Sequence, residues 1–139
     1  MNSPAEIIYQ LLLDLDLTEP GSSFIGFFPD DPDSAVCVYD AVSKPDGRLM
    51  RTGERIEHPG VQIQVRGLAY EEVWAKANTI ALALDALRKV SVVPSSEGSY
   101  IVDNVSRTGG VLSIGVDAVQ GRRRHYFVIN ANITVNESE

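Results

Sequence analysis

The chain has 139 residues, 44% of them hydrophobic and 22% charged, which predicts a single globular domain with its own core. Its net charge is −7, and residues 1–60 account for all of it, with 11 acidic and 4 basic side chains. This acidity argues against a general nucleic-acid binder, because affinity for phosphates rests on Lys and Arg. The sequence also predicts neither a membrane span nor a secretory signal.

The first half of the chain predicts one helix followed by short strands. Ser3-Pro-Ala-Glu6 is typical of a capped helix start, and a stripe of apolar residues extends a predicted helix over about 4–16. That stripe comprises Ile8, Leu11, Leu12 and Leu15. Two apolar segments, 24–28 and 35–42, predict strands, and between them Pro29-Asp-Asp-Pro-Asp-Ser34 predicts a solvated acidic loop without calcium-site spacing.

Residues 43–60 form the longest stretch of low hydrophobicity, rich in Gly and Pro, and predict a long polar arm or loop. The strict alternation of residues 61–67 predicts a half-buried strand directly after it.

The second half predicts a long helix and three strands. A helix is expected over 69–90, with a core stripe at helical spacing. The stripe comprises Val73, Ala77, Ile80, Leu84 and Leu87, widened by Trp74 and Ala81. Segments 99–107, 111–117 and 123–135 predict strands, the last with Phe127, Ile129, Ile133 and Val135 towards the core. The predicted fold class is therefore α+β: residues 1–139 form a single domain, a mainly antiparallel sheet with two helices packed on it.

The inventory of reactive residues argues against an enzyme. Cys37 is the one cysteine and is expected to be a packed thiol in a strand, and the two histidines, His58 and His125, lie far apart in the sequence. No spacing typical of a metal site, a nucleophile elbow or a phosphate loop is present, so no cofactor is expected. An enzyme would need a carboxylate pair such as Asp103 and Asp117, which no spacing supports.

The segment 110–130, GVLSIGVDAVQGRRRHYFVIN, predicts a hairpin with Ala118–Gly121 as its turn and Gly121 at positive φ. Three interpretations of Arg122, Arg123 and Arg124 stay open. They form a solvated hairpin tip that pairs with Asp117, a positive cluster that docks on an acidic neighbouring subunit, or a contact with a phosphate backbone. The third is the least favoured.

Three stretches follow one another along the chain: the N-terminal helix with the Phe24-Ile-Gly strand, His58–Gly67 running into Tyr70–Ala77, and the C-terminal hairpin, Gly115-Val-Asp to Tyr126-Phe-Val-Ile-Asn130. In this order they resemble the minor capsid and tail terminator proteins of long-tailed bacteriophages and prophages. The resemblance covers nearly the whole chain.

The resemblance implies a non-enzymatic virion protein that caps the tail tube as a ring, commonly hexameric, and joins it to the head connector. Its implied partners are further copies of itself, the tail tube protein and the head completion or connector protein, without membrane or specific nucleic acid. Its implied location is the tail end or neck of the virion, with assembly in the host cytoplasm. We expect interface residues in the arm and the hairpin: Arg48, Met50, Arg51, Arg55, Asp117, Arg122, Arg123 and Arg124.

Two alternatives remain beside the terminator. One is a head-tail joining (neck) protein on the capsid side, which is also a small α+β ring former. The other, from a different class, is a small nucleic-acid-binding module that uses the three arginines.

Overall fold

The computed structural model of the protein describes residues 3–30, 32–48, 55–95, 98–119 and 121–138. It confirms the α+β prediction: two helices pack on one curled, mostly antiparallel seven-stranded sheet. The helices are α1 (Pro4–Asp14) and α2 (Tyr70–Asp85), and a 3₁₀ turn spans Pro20–Ser22. The strands are β1 (Ser23–Ile25), β2 (Ala35–Arg48), β3 (Arg55–Gly67), β4 (Val90–Ser95), β5 (Gly98–Arg107), β6 (Leu112–Val119) and β7 (Arg122–Ser138). No helix in the described ranges is long and apolar enough to cross a membrane.

The sheet is organised around β7. Its strand order is β1-β2-β3-β7-β5-β4, and β6 also pairs with β7. β3 lies along one edge of β7 over residues 125–132, while the other edge pairs with β6 over 122–128 and with β5 over 131–138. β7 is therefore an interior strand over 125–132.

α1 begins as the sequence predicts. The Ser3 hydroxyl accepts a hydrogen bond from the Glu6 N–H at 3.2 Å, which completes the predicted capping box. Asp40 of β2 accepts a hydrogen bond from the Ala5 N–H at 3.0 Å, so a carboxylate lies at the positive end of the helix. The apolar stripe is buried through Leu12, but Leu15 lies beyond the last turn and is exposed.

α2 buries its predicted stripe, including Ala81, but ends at Asp85 rather than near residue 90. The chain turns there because Val90–Ser95 forms β4, an edge strand that the sequence analysis missed; Val92 is buried in it, and Pro94 is tolerated at the edge. Trp74, predicted to widen the core stripe, is exposed instead.

A single hydrophobic core lies between the helices and one face of the sheet. The predicted inward residues of β7 are confirmed: Phe127, Ile129 and Ile133 are buried, and Val135 packs against the core. The core also explains Gly67, because a Cβ there would lie 2.5 Å from Val73 Cγ2, where β3 turns into α2. The opposite face of the sheet carries polar and aromatic side chains.

Candidate functional site

The described side chains form no catalytic constellation. No group of three potential metal ligands occurs among them. His125 packs edge-on against Tyr70, with ring centroids 5.6 Å apart. Asp117 lies opposite Arg124 on β7, whereas Asp103 lies beside Val135 and Thr134, so about ten residues of strand, on the order of 30 Å, separate the proposed carboxylate pair along β7.

Cys37 is the packed thiol that the sequence predicts. It is fully buried in β2, and its thiol donates a hydrogen bond to the Phe27 carbonyl at 3.3 Å. Burial raises the pKa of the thiol, which makes it a poor nucleophile.

The arginine-rich segment is a hairpin, as predicted. β6 and β7 pair from Leu112↔Val128 to Val119↔Arg122, and Gly121 has φ +79° in the turn. The three arginines are not equivalent, however. Arg123 is exposed and Arg124 is buried, while the side chains of Arg122 and Asp117 lie outside what the structure describes. The solvated-tip interpretation is therefore wrong for Arg124.

Arg124 binds the loop that precedes β2. Its guanidinium is only 3% exposed and forms ion pairs with Asp33 Oδ1 at 2.9 Å and Asp30 Oδ1 at 3.1 Å. It also donates to the Asp30 carbonyl at 2.7 Å. Burial lowers the pKa of Arg124, but its hydrogen bonds and the two carboxylate charges outweigh this effect, and the pKa is raised. The acidic loop is thus anchored to β7 rather than freely solvated.

Arg66 of β3 anchors the same loop from the next strand. It is buried, and its guanidinium donates to the carbonyl oxygens of Pro29 at 2.8 Å, Asp33 at 3.1 Å and Pro32. The guanidinium carbon lies 4.6 Å from the centroid of the Phe28 ring. Since Arg66 pairs with Tyr126 across the strands, both arginines lie on the face of the sheet opposite the helices.

The described residues of the β1–β2 loop (26–34) therefore lie across this polar face. Phe28 packs edge-on against Tyr126 and Tyr39, with ring centroids 5.9 and 6.4 Å away. Beyond the loop, Gln62 donates to Asn130 at 3.0 Å, which links β3 and β7. The sequence analysis did not predict that Arg66, Asp30 and Asp33 lie together. Two arginines within apolar strands, beside a loop with three aspartates, were the available signal.

The polar arm predicted at 43–60 is largely β-structure. β2 and β3 continue as a paired ribbon from Lys44↔His58 to Arg48↔Arg55, so the described residues of the predicted arm or loop form a two-stranded extension. Among the described residues, these two strand segments pair only with each other. Met50 and Arg51 lie outside the described residues, as do the side chains of Arg48 and Arg55.

A family model described as bacteriophage tail terminator protein matches residues 11–134. No curated protein sequence gave a match. The matched range runs from the end of α1 to residue 134 of β7 and therefore includes α2, the ribbon and both loop-binding arginines. This coverage confirms the resemblance seen in the sequence and implies a component of the virion tail: the chain belongs to the bacteriophage tail terminator family, a family of structural proteins.

Proposed function

We propose that the protein caps the finished tail tube as an oligomeric ring, commonly hexameric in form, and joins the tube to the head connector. The family match over residues 11–134 carries this proposal. The proposed role is structural and non-enzymatic, and the dispersed reactive side chains among the described residues are compatible with it. The partners are further copies of the chain, the tail tube protein and the head completion protein. The proposed location is the neck end of the tail, reached after assembly in the host cytoplasm.

The anchored loop and the ribbon support a role in templated assembly. Arg66 and Arg124 hold the β1–β2 loop in one conformation, which lowers the entropy lost when a partner docks on that face. The ribbon formed by 44–48 and 55–58 is a two-stranded extension, and such ribbons gain stability from a further strand or surface. We propose that a neighbouring subunit or the tube supplies that surface.

The interface residues proposed from the sequence divide into two groups. In the arm they are Arg48, Met50, Arg51 and Arg55, and in the hairpin they are Asp117, Arg122 and Arg123. Arg124 leaves this set because its guanidinium is committed to Asp30 and Asp33 within the same chain.

Nucleic-acid binding is weakened as an alternative by the same observation. A phosphate contact would have to rely on Arg122 and Arg123 in a chain of net charge −7. The capsid-side neck protein remains the second candidate, since it is built on the same kind of small α+β subunit.

Co-sedimentation separates these functions. The purified protein is mixed with tail tubes, with empty heads or with duplex DNA at low salt, and each mixture is pelleted. Retention by tubes alone is the expected result. Retention by heads alone would favour the neck protein. Retention by DNA that weakens steeply with salt would favour the nucleic-acid-binding module.

A further inference from the structure

β6 exposes aliphatic side chains on both of its faces. Leu112, Ile114 and Val116 are 56%, 53% and 54% exposed. Leu112 lies opposite Val128 and Val116 opposite His125, so these two point to opposite faces of the sheet. Strands with apolar residues on both faces are typical of sheet positions that are covered on both sides. β6 has this character although it lies at the periphery of the sheet.

The free edge of β6 is also poorly protected against strand addition. Among the described strands β6 pairs with β7 alone, which leaves its outer row of N–H and C=O groups without a strand partner. The strand contains neither Lys nor Pro, the residues that commonly block an exposed edge, and its one charged residue, Asp117, lies near the hairpin end and not beside Leu112 and Ile114. Its one irregularity is the register shift between Ser113 and Gly115, where Gly115 has φ +117°.

A second apolar edge lies at the far end of the strand order. β1 pairs only with β2 in the described part of the chain, through Ser23–Ile25 against Val36–Val38. Ile25 is 36% exposed, and Phe27, two residues later, is 63% exposed. The Cys37 thiol binds the Phe27 carbonyl, which fixes the backbone at this position. β1 therefore offers a short strand edge with an aromatic side chain held beside it.

The two edges carry opposite charge. Arg123 is exposed at the end of the β6–β7 hairpin. Residues 1–43, which include β1, contain eight acidic and no basic side chains. Asp14, Asp16 and Glu19 of this segment are exposed just before β1, and the Glu19 carbonyl accepts a hydrogen bond from the Ser23 hydroxyl at 2.7 Å. When two apolar edges are flanked by opposite charges, the charges favour one orientation of one copy relative to the other.

We propose that β6 of one copy pairs edge to edge with β1 of the next copy. Ile114 and its aliphatic neighbours on β6 pack against Ile25 and Phe27, and Arg123 meets the acidic segment before β1. Because two different surfaces meet, the contact is heterologous and joins copies head to tail, as a closed ring requires. The proposal rests on the proposed ring and names its subunit contact. Since β1 has three residues, side-chain burial supplies most of the affinity.

The first test compares two lysine substitutions at matched exposure. Ile114→Lys places a charge on the β6 edge, and the control Val93→Lys places one on β4, an outermost strand that the proposed contact does not use, where Val93 is 56% exposed. Mass is measured by light scattering over a range of protein concentrations. We expect Ile114→Lys to raise the dissociation constant of the assembly at least about tenfold and Val93→Lys to leave it within about twofold. Thermal unfolding confirms that both variants fold.

The second test identifies the two edges by cross-linking. Ile25→Cys and Ile114→Cys are made separately, with the native Cys37 buried in each. Under mild oxidation we expect disulfide-linked dimers only when the two variants are mixed. Linkage of Ile114→Cys to itself would indicate symmetric β6–β6 pairing and overturn the proposal. Failure of the mixture to cross-link at the highest soluble concentration would overturn it as well.

These tests are independent of tail binding. If Ile114→Lys forms rings as readily as the wild type, the proposed contact is wrong and the ring itself stands. If the cysteine variants cross-link as expected but the protein does not bind tail tubes, the subunit contact stands and the proposed function fails.

Discussion

Replacing Arg66 with Met tests whether the buried arginines hold the β1–β2 loop. Methionine keeps much of the aliphatic stem but removes the three hydrogen bonds to the carbonyls of Pro29, Pro32 and Asp33. A hydrogen bond to a charged group contributes roughly 1.5–3 kcal/mol. Removing the buried cation relieves its desolvation, and water reaches the loop carbonyls, so we expect a net loss of about 2–4 kcal/mol in the free energy of unfolding.

Urea denaturation followed by far-UV circular dichroism measures this loss, and limited chymotrypsin digestion after Phe27 reports on the loop. We expect faster cleavage in Arg66→Met. The matched control is Arg107→Met, which breaks a partly exposed ion pair with Asp85 at 2.6 Å and should cost less than about 1 kcal/mol. Equal losses in the two variants, or unchanged cleavage in Arg66→Met, would refute the assigned role of Arg66.

Three other changes test separate parts of the structure. Gly67→Ala forces a Cβ against Val73, so urea unfolding should show a loss of about 1–3 kcal/mol in the free energy of unfolding. The control Gly21→Ala has open space around it and should change this free energy by less than about 0.5 kcal/mol. Similar losses in the two variants would argue against the close approach of Gly67 to Val73. Deletion of residues 46–57 leaves the Ala41↔Gly60 pair and the rest of the core sheet in place, so light scattering should find a folded monomer that forms no rings. A deletion variant that still assembles would exclude the ribbon from the contact between subunits. The Cys37 thiol should react with a thiol reagent at pH 8 at least about a thousandfold more slowly than in urea, because reaction requires opening of the core; rapid labelling of the folded protein would contradict its burial.

The elements that local chemistry specifies were predictable from the sequence. The capping box of α1, the alternation of residues 61–67 and the inward-facing residues of β7 each follow a short-range rule, and each is present in the structure. The errors occur where tertiary context decides. Helical spacing alone predicts that α2 continues to residue 90. In the structure the helix ends at Asp85, and the chain forms the edge strand β4 from Val90 onwards. Trp74 fits an apolar stripe and is nevertheless exposed.

The candidate site was harder to predict because its parts are distant in sequence. Arg124 is separated from Asp30 by 94 residues, and Arg66 from Pro29 by 37. A run of three arginines suggests a common role, but the alternation of a β-strand sends Arg123 and Arg124 to opposite faces. One therefore lies in solvent and the other is buried beneath the loop. No local pattern distinguishes them without knowledge of the strand pairing.

The most direct test of the central proposal is electron microscopy of tail tubes that polymerise from tail tube protein in the presence and absence of this protein. If the protein is a terminator, added protein should stop elongation, narrow the distribution of tube lengths and place ring-shaped density at one end of each tube. Tubes that reach the same lengths with bare ends at saturating protein would contradict the account.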